Sequence, residues 1–166
     1  MQPKTEPPVV SGTGHRPDKL GGYEFNAPKR IWIRKEVQKL IELLEPQYCI
    51  SGMALGFDQD LAMVCVEMQV PFVAAVPFEG QEFSWPRASQ EFYRELLSYA
   101  YCKYVVCGGG YSPHKMQLRN QWMVDNCDVL IAAWDGSRGG TYNCVEYAME
   151  VKRTIARINP SHFTRN

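Results

Sequence analysis

The chain reads as an α/β protein, a Rossmann-like three-layer sandwich built on a mostly parallel sheet. Three observations predict this. Apolar strand-like runs alternate with helical stretches along the whole chain. The apolar runs are continuous rather than polar at every second residue, as strands buried on both faces require. Residues with distinctive chemistry gather just after those runs, where open parallel sheets bind ligands. At 166 residues, with 45% apolar and 22% charged side chains, a single domain over residues 1–166 with an ordinary soluble core is expected.

The elements follow in order. "TEPPVVSGT" is the first strand. "APKRIWIRKEVQKLIELLE" places Ile33, Val37, Leu40, Ile41 and Leu44 at helical spacing, and Pro46 closes it. "QYCIS" is the second strand, residues 58–69 the second helix, and "VPFVAAVPF" the third strand. "WPRASQEFYRELLSYA" is a helix with Pro86 near its start, followed by the strand "YCKYVVC". "MQLRNQWMVDN" is a helix, "CDVLIAAW" a strand, "TYNCVEYAMEVKR" the last helix and "TIARI" the last strand.

Composition narrows the function. Eighteen basic residues balance eighteen acidic ones. Nucleic-acid binding usually leaves a basic excess, so this balance argues against a nucleic-acid partner, whereas a small anionic ligand needs only a local positive site. The six cysteines are scattered, with no CxxC pair and no histidine at ligand spacing, so neither a metal nor another cofactor is expected. Free cysteines in apolar contexts indicate a reducing compartment. The amino terminus lacks an apolar signal core and no apolar run approaches membrane-spanning length. A cytoplasmic protein without a membrane partner is expected.

Four loops carry the chemistry. After the first strand come Gly12, Thr13, Gly14, His15 and Arg16, small residues followed by a hydrogen-bonding and a cationic side chain. After the second comes "SGMALGFD", with Ser51, Gly52, Gly56 and Asp58. Its glycines let backbone N–H groups approach a phosphate at a helix start. A plain strand-to-helix turn capped by Asp58 reads equally well. After the fifth strand, Gly139, Gly140 and Thr141 open the last helix, where Thr141 serves as a cap, a phosphate ligand or both. The first loop has no GxGxxG pattern, which disfavours a conventional dinucleotide dehydrogenase. The fourth loop, "PFEGQEFSW", brings Trp85 as a surface for stacking a base or as an aromatic cap on the core. "GGGYSPHK" reads as a flexible loop.

On a helix, Arg119 and Asn120 sit either in solvent or toward the crest, where Arg119 meets an anion in bidentate fashion. Glu146 is either a helix-surface carboxylate or a ligand-facing one. His114 and His162 lie in loops and carry no assignment.

Taken together, TGHRP, SGMALGFDQ, VPFEGQEFSWP, LRNQWMVD and WDGSRGGTYNCVEYA resemble the YpsA-like (DUF1273) branch of the SLOG superfamily, from about residue 9 to residue 160. That superfamily includes the DNA-processing protein DprA and the LOG phosphoribohydrolases. The resemblance implies a crest that binds a nucleotide or a nucleotide-derived molecule such as ADP-ribose or NAD, and a chain that self-associates as a homodimer. Met116, Arg119 and Met123 match the LOG "MxxRKxxM" helix, with Asn120 in place of Lys. The partner motif "PGGxGTxxE" departs, because Cys144 stands three residues after Thr141 and the acidic residue is Glu146. Two residues turn a helix by about 200°. Arg119 and Glu146 are the catalytic candidates under this resemblance, but the hydrolase role does not transfer directly. Ligand binding is the leading expectation, with LOG-like N-glycosidase activity and DprA-like binding of single-stranded DNA as the alternatives.

Overall fold

A computed structural model describes residues 5–164. The strands are β1 (Val9–Gly14), β2 (Tyr48–Ser51), β3 (Phe72–Val76), β4 (Cys102–Val105), β5 (Val129–Ala133) and β6 (Thr154–Ile158). The helices are α1 (Pro28–Leu44), α2 (Phe57–Glu67), α3 (Arg87–Ser98), α4 (Pro113–Asp125) and α5 (Gly140–Glu150). Short 3₁₀ turns cover Pro17–Lys19 and Pro160–His162.

The strands form one sheet in the order β4-β3-β2-β1-β5-β6, and every pair is parallel. Val10 lies opposite Cys49 on one side and Val129 on the other, so β1 is central. From β1 the chain builds outward to β4, then returns across β1 to add β5 and β6. This reversal opens a crevice above the carboxyl ends of β1 and β5, the position where such sheets take ligands.

Helices cover both faces. Ile33, Val37 and Ile41 of α1, Phe57, Leu61 and Val64 of α2, and Tyr93 and Leu96 of α3 join one core cluster with Val10, Phe72 and Ile131. Met123 and Val124 of α4 and Cys144 and Ala148 of α5 form the other, with Ile50, Ala75 and Leu130. α1 starts at Pro28, whose missing N–H costs nothing at the first helical position, and ends where Glu45 takes a left-handed conformation before Pro46.

The structure corrects the sequence reading in three places. β1 begins at Val9, because Pro7 and Pro8 have no N–H to give a sheet. α4 takes in Pro113, His114 and Lys115, which the sequence places in a flexible loop; Pro113 is pre-set for a helical first turn. β4 is not buried on both faces: Cys102, Lys103 and Tyr104 are exposed, as befits an edge strand protected by a lysine. No helix among the described residues is long and apolar enough to cross a membrane.

Candidate functional site

A cleft of about 260 Å³ lies at the β1/β5 reversal. Its walls come from the loop after β1, the loop after β5 with the first turn of α5, and the middle of α4.

The β1 wall is a continuation of the strand. His15 N–H still donates to Ala133 O at 3.2 Å, so Thr13, Gly14, His15 and Arg16 leave the sheet at the cleft. Gly12, one residue earlier, is buried against Leu61 and Phe57 and does not line it. His15 Nε2 accepts the Asp135 N–H at 3.0 Å and lies 2.9 Å from the Asp135 carboxylate. Burial lowers the imidazole's proton affinity against the pull of Asp135, which favours the neutral ring accepting from the backbone. Asp135 itself is held well below the usual carboxylate range by the hydroxyl and backbone N–H of Ser137. Lys19 bonds Ser137 Oγ and stands 3.8 Å from Asp135, tying the two loop walls together at the mouth.

The α5 wall is a helix N-terminus. Gly139 is the N-cap, no side chain caps the first turn, and that turn contains no acidic residue. Gly139, Gly140, Thr141 and Tyr142 line the cleft with unsatisfied N–H groups at the positive end of the helix. The α2 N-terminus differs. Gly56 is its N-cap, with φ of 96°, and a side chain there would meet His15 O at 2.5 Å, so only glycine fits. The Asp58 carboxylate reaches back to accept from Ala54 N–H at 3.2 Å, placing a negative charge at that helix start.

Arg119 is the central cation. It is only 2% exposed, yet lines the cleft. Nη1 donates to Gly52 O at 2.6 Å and Ala75 O at 3.2 Å, and Nε to Asn120 Oδ1 at 3.0 Å. Nη2 has no hydrogen-bond partner among the described residues. A side chain at Gly52 would strike both Arg119 and Asp58, so the glycine exists to admit them. Ser51 Oγ donates to Asp58 O, completing a scaffold beneath the arginine. Burial raises the Asp58 carboxyl's affinity for a proton, opposed by Arg119 and Arg16, and burial lowers that of Arg119, opposed by Asp58. Each charge is costly alone and steadied by the other.

Of the residues chosen from sequence, the structure brings Thr13, Gly14, His15, Arg16, Asp58, Arg119, Asn120, Gly139, Gly140 and Thr141 to one cleft. Ser51, Gly52 and Gly56 support it from behind. Glu146 is exposed on α5 and does not line the cleft; Cys144 faces inward, close enough to Thr13 to hydrogen-bond, with its thiol pushed up to about 12 by burial. The two-residue shift along the helix accounts for this. Trp85 packs edge-on to Tyr93 at 5.3 Å, against the core rather than over the cleft. The sequence did not mark Asp18, Lys19, Met116, Ser137, Arg138 and Tyr142 as site residues. Lys19 and Ser137 carried no motif signal, since only folding sets their loops side by side.

Fold and site together define an open parallel-sheet α/β protein with an anion-friendly cleft at its topological switch point. The chain belongs to the YspA SLOG family, whose model matches residues 10–161. It is 34% identical to the uncharacterized SPbeta prophage-derived protein YoqJ of Bacillus subtilis, covering 75% of this chain and 83% of that protein. It is 30% identical to a UPF0398 protein of Bacillus cereus, covering 93% and 87% respectively. Among solved structures, DprA from Streptococcus pneumoniae superposes with a TM-score of 0.65 at 21% identity, over 92% of this chain and 50% of DprA. DprA from Helicobacter pylori, described with a single-stranded DNA binding mode, gives 0.65 at 14% identity over 91% of this chain and 65% of that one. At these identities the likeness is one of fold.

Proposed function

We propose that this protein binds a phosphate-bearing, nucleotide-derived small molecule in the β1/β5 cleft. One observation carries the reading: the uncapped N-terminus of α5 and the fixed guanidinium of Arg119 border the same small cavity. Helix N–H groups and an arginine are complementary to phosphate oxygens, and charge-assisted bonds of this kind are about twice as strong as neutral ones. Arg16 adds a second cation, and Thr141 Oγ a hydroxyl. A cavity of about 260 Å³ suits a phosphate and ribose rather than a whole dinucleotide.

Hydrolysis of an N-glycosidic bond requires a carboxylate at the sugar, and Glu146 lies outside the cleft. Asp58 does line it, so turnover is assayed beside binding. Calorimetry with AMP, ADP-ribose and NAD is the test. Saturable binding without release of base or ribose phosphate over hours supports a binding protein. Base release places the protein among the hydrolases, and heat only with single-stranded DNA transfers the DprA neighbours' property to it. No heat with any nucleotide removes the reading.

A further inference from the structure

A second groove, of about 440 Å³, lies on the same crest between the loops after β3 and β4. Its walls are two aromatic rings that are open to solvent, Phe83 (71% exposed) and Tyr111 (74% exposed). Neither hangs loose. The Phe83 ring lies over Gly80, so close that a side chain at that position would collide with it, and Phe83 N–H donates to Gly80 O at 3.1 Å. Tyr111 meets the buried Phe78 edge-on, with centroids 6.0 Å apart and planes at 87°. Lys115 Nζ fixes the glycine-rich loop beneath Tyr111 by donating to Gly110 O at 2.7 Å.

A buried amide underlies the groove. Gln81 is 5% exposed and lines the groove. Its Nε2 donates to Gly52 O, the same carbonyl that holds Arg119, whereas its Oε1 is buried without a hydrogen bond. The amide thus braces the floor of the groove against the loop that carries Gly52. Glu79 is already engaged by Lys103 at 2.7 Å, which leaves the groove without a free charge of its own from that pair.

We infer that this groove is a second subsite that takes the planar base of an extended, dinucleotide-type ligand whose phosphate end occupies the β1/β5 cleft. The inference rests on the function proposed above. Phe83 and Tyr111 offer two π surfaces between which a planar base fits. The two sites are three strand spacings apart in the sheet, roughly 14 Å. A mononucleotide cannot reach both; two nucleosides joined through a diphosphate can.

The experiment compares NAD with AMP by calorimetry on the wild-type chain and on Phe83→Ala and Tyr111→Ala. Both rings are solvent-exposed, so the variants are expected to keep the wild-type thermal midpoint, which is measured first. Stacking of one base is worth about 1–3 kcal/mol, or roughly 5- to 150-fold in affinity. NAD is expected to bind at least ~10-fold more tightly than AMP, and either substitution to remove most of that advantage while AMP binding stays within about twofold. AMP binding with no NAD advantage, or an NAD advantage untouched by both substitutions, overturns the subsite and leaves the phosphate cleft standing. NAD binding lost in Phe83→Ala, with no AMP binding, keeps the groove and discards the cleft. Binding of oligodeoxythymidylate alone overturns the dinucleotide assignment.

Discussion

Arg119 illustrates how a single side chain joins structure to function. Its Nη1 is spent on the carbonyls of Gly52 and Ala75, which fixes the guanidinium plane before any ligand arrives. Replacing it with methionine keeps most of the volume but takes a charged donor from both carbonyls, leaving Gly52 O the Gln81 amide, and removes the cleft's buried cation. Arg119→Met is expected to weaken AMP binding by about 10- to 100-fold, from charge-assisted bonds worth ~1.5–3 kcal/mol, and to lower the unfolding free energy measurably in urea. Undiminished AMP affinity in a folded Arg119→Met protein counts against a phosphate at this residue. His15 makes a pH prediction. Its folded-state affinity for protons lies below the usual imidazole value, so near and below pH 6.5 the unfolded chain binds more protons than the folded one. The His15 contribution is therefore present at pH 8 and lost as pH falls through 6.5 and below. Asp58 and Asp60, both raised by burial, run the other way at lower pH. The decisive quantity is the difference between wild type and His15→Gln. Urea midpoints at pH 5.5 and 8 should diverge less in the variant than in wild type; equal divergence contradicts a neutral His15.

At the scale of elements, the β1–α1 connection and the start of α2 are held by a buried ion cluster. Arg30, 1% exposed, donates through Nε to Asp60 at 3.0 Å and through Nη1 to Tyr23 O at 2.9 Å, while Arg34 adds a bond to Asp60 at 2.9 Å. Arg30 Nη2 also reaches Gly56 O at 3.2 Å, just where α2 begins. Removing one partner strands the rest, so Asp60→Ala is expected to cost about 3–5 kcal/mol in chemical denaturation; a loss under 1 kcal/mol would show the cluster to be solvated. Gly56→Ala combines a left-handed φ with a collision against His15 O and is expected to cost about 1–3 kcal/mol. Most elements were legible in the sequence. The i, i+3, i+4 spacing of α1 and the continuous runs of β3 and β5 are strong signals because burial on one stripe, or on both faces, dictates them. The edge exposure of β4 was not legible: "YCKYVVC" has the composition of a buried strand, and only the sheet order reveals that one side of it pairs with nothing.

On the scale of the whole molecule, the site is a product of topology. Loops after β1 and β5 are more than 110 residues apart in sequence, and adjacent strands bring them together. The glycines and Thr141 announced themselves, because sharp turns before helices need small residues. Lys19, Ser137 and the Phe83–Tyr111 groove did not, since nothing local distinguishes an exposed aromatic on a crest loop from one that packs inward as Trp85 does. The proposed function places a phosphate at the α5 N-terminus beside Arg119. Its most direct measurement is the titration of ¹⁵N-labelled protein with AMP, following backbone amides by NMR. The largest saturable shifts are expected at Gly139, Gly140, Thr141 and Tyr142, with smaller ones at Thr13 to Arg16. Saturable shifts confined to other surfaces, or none at all, would contradict it.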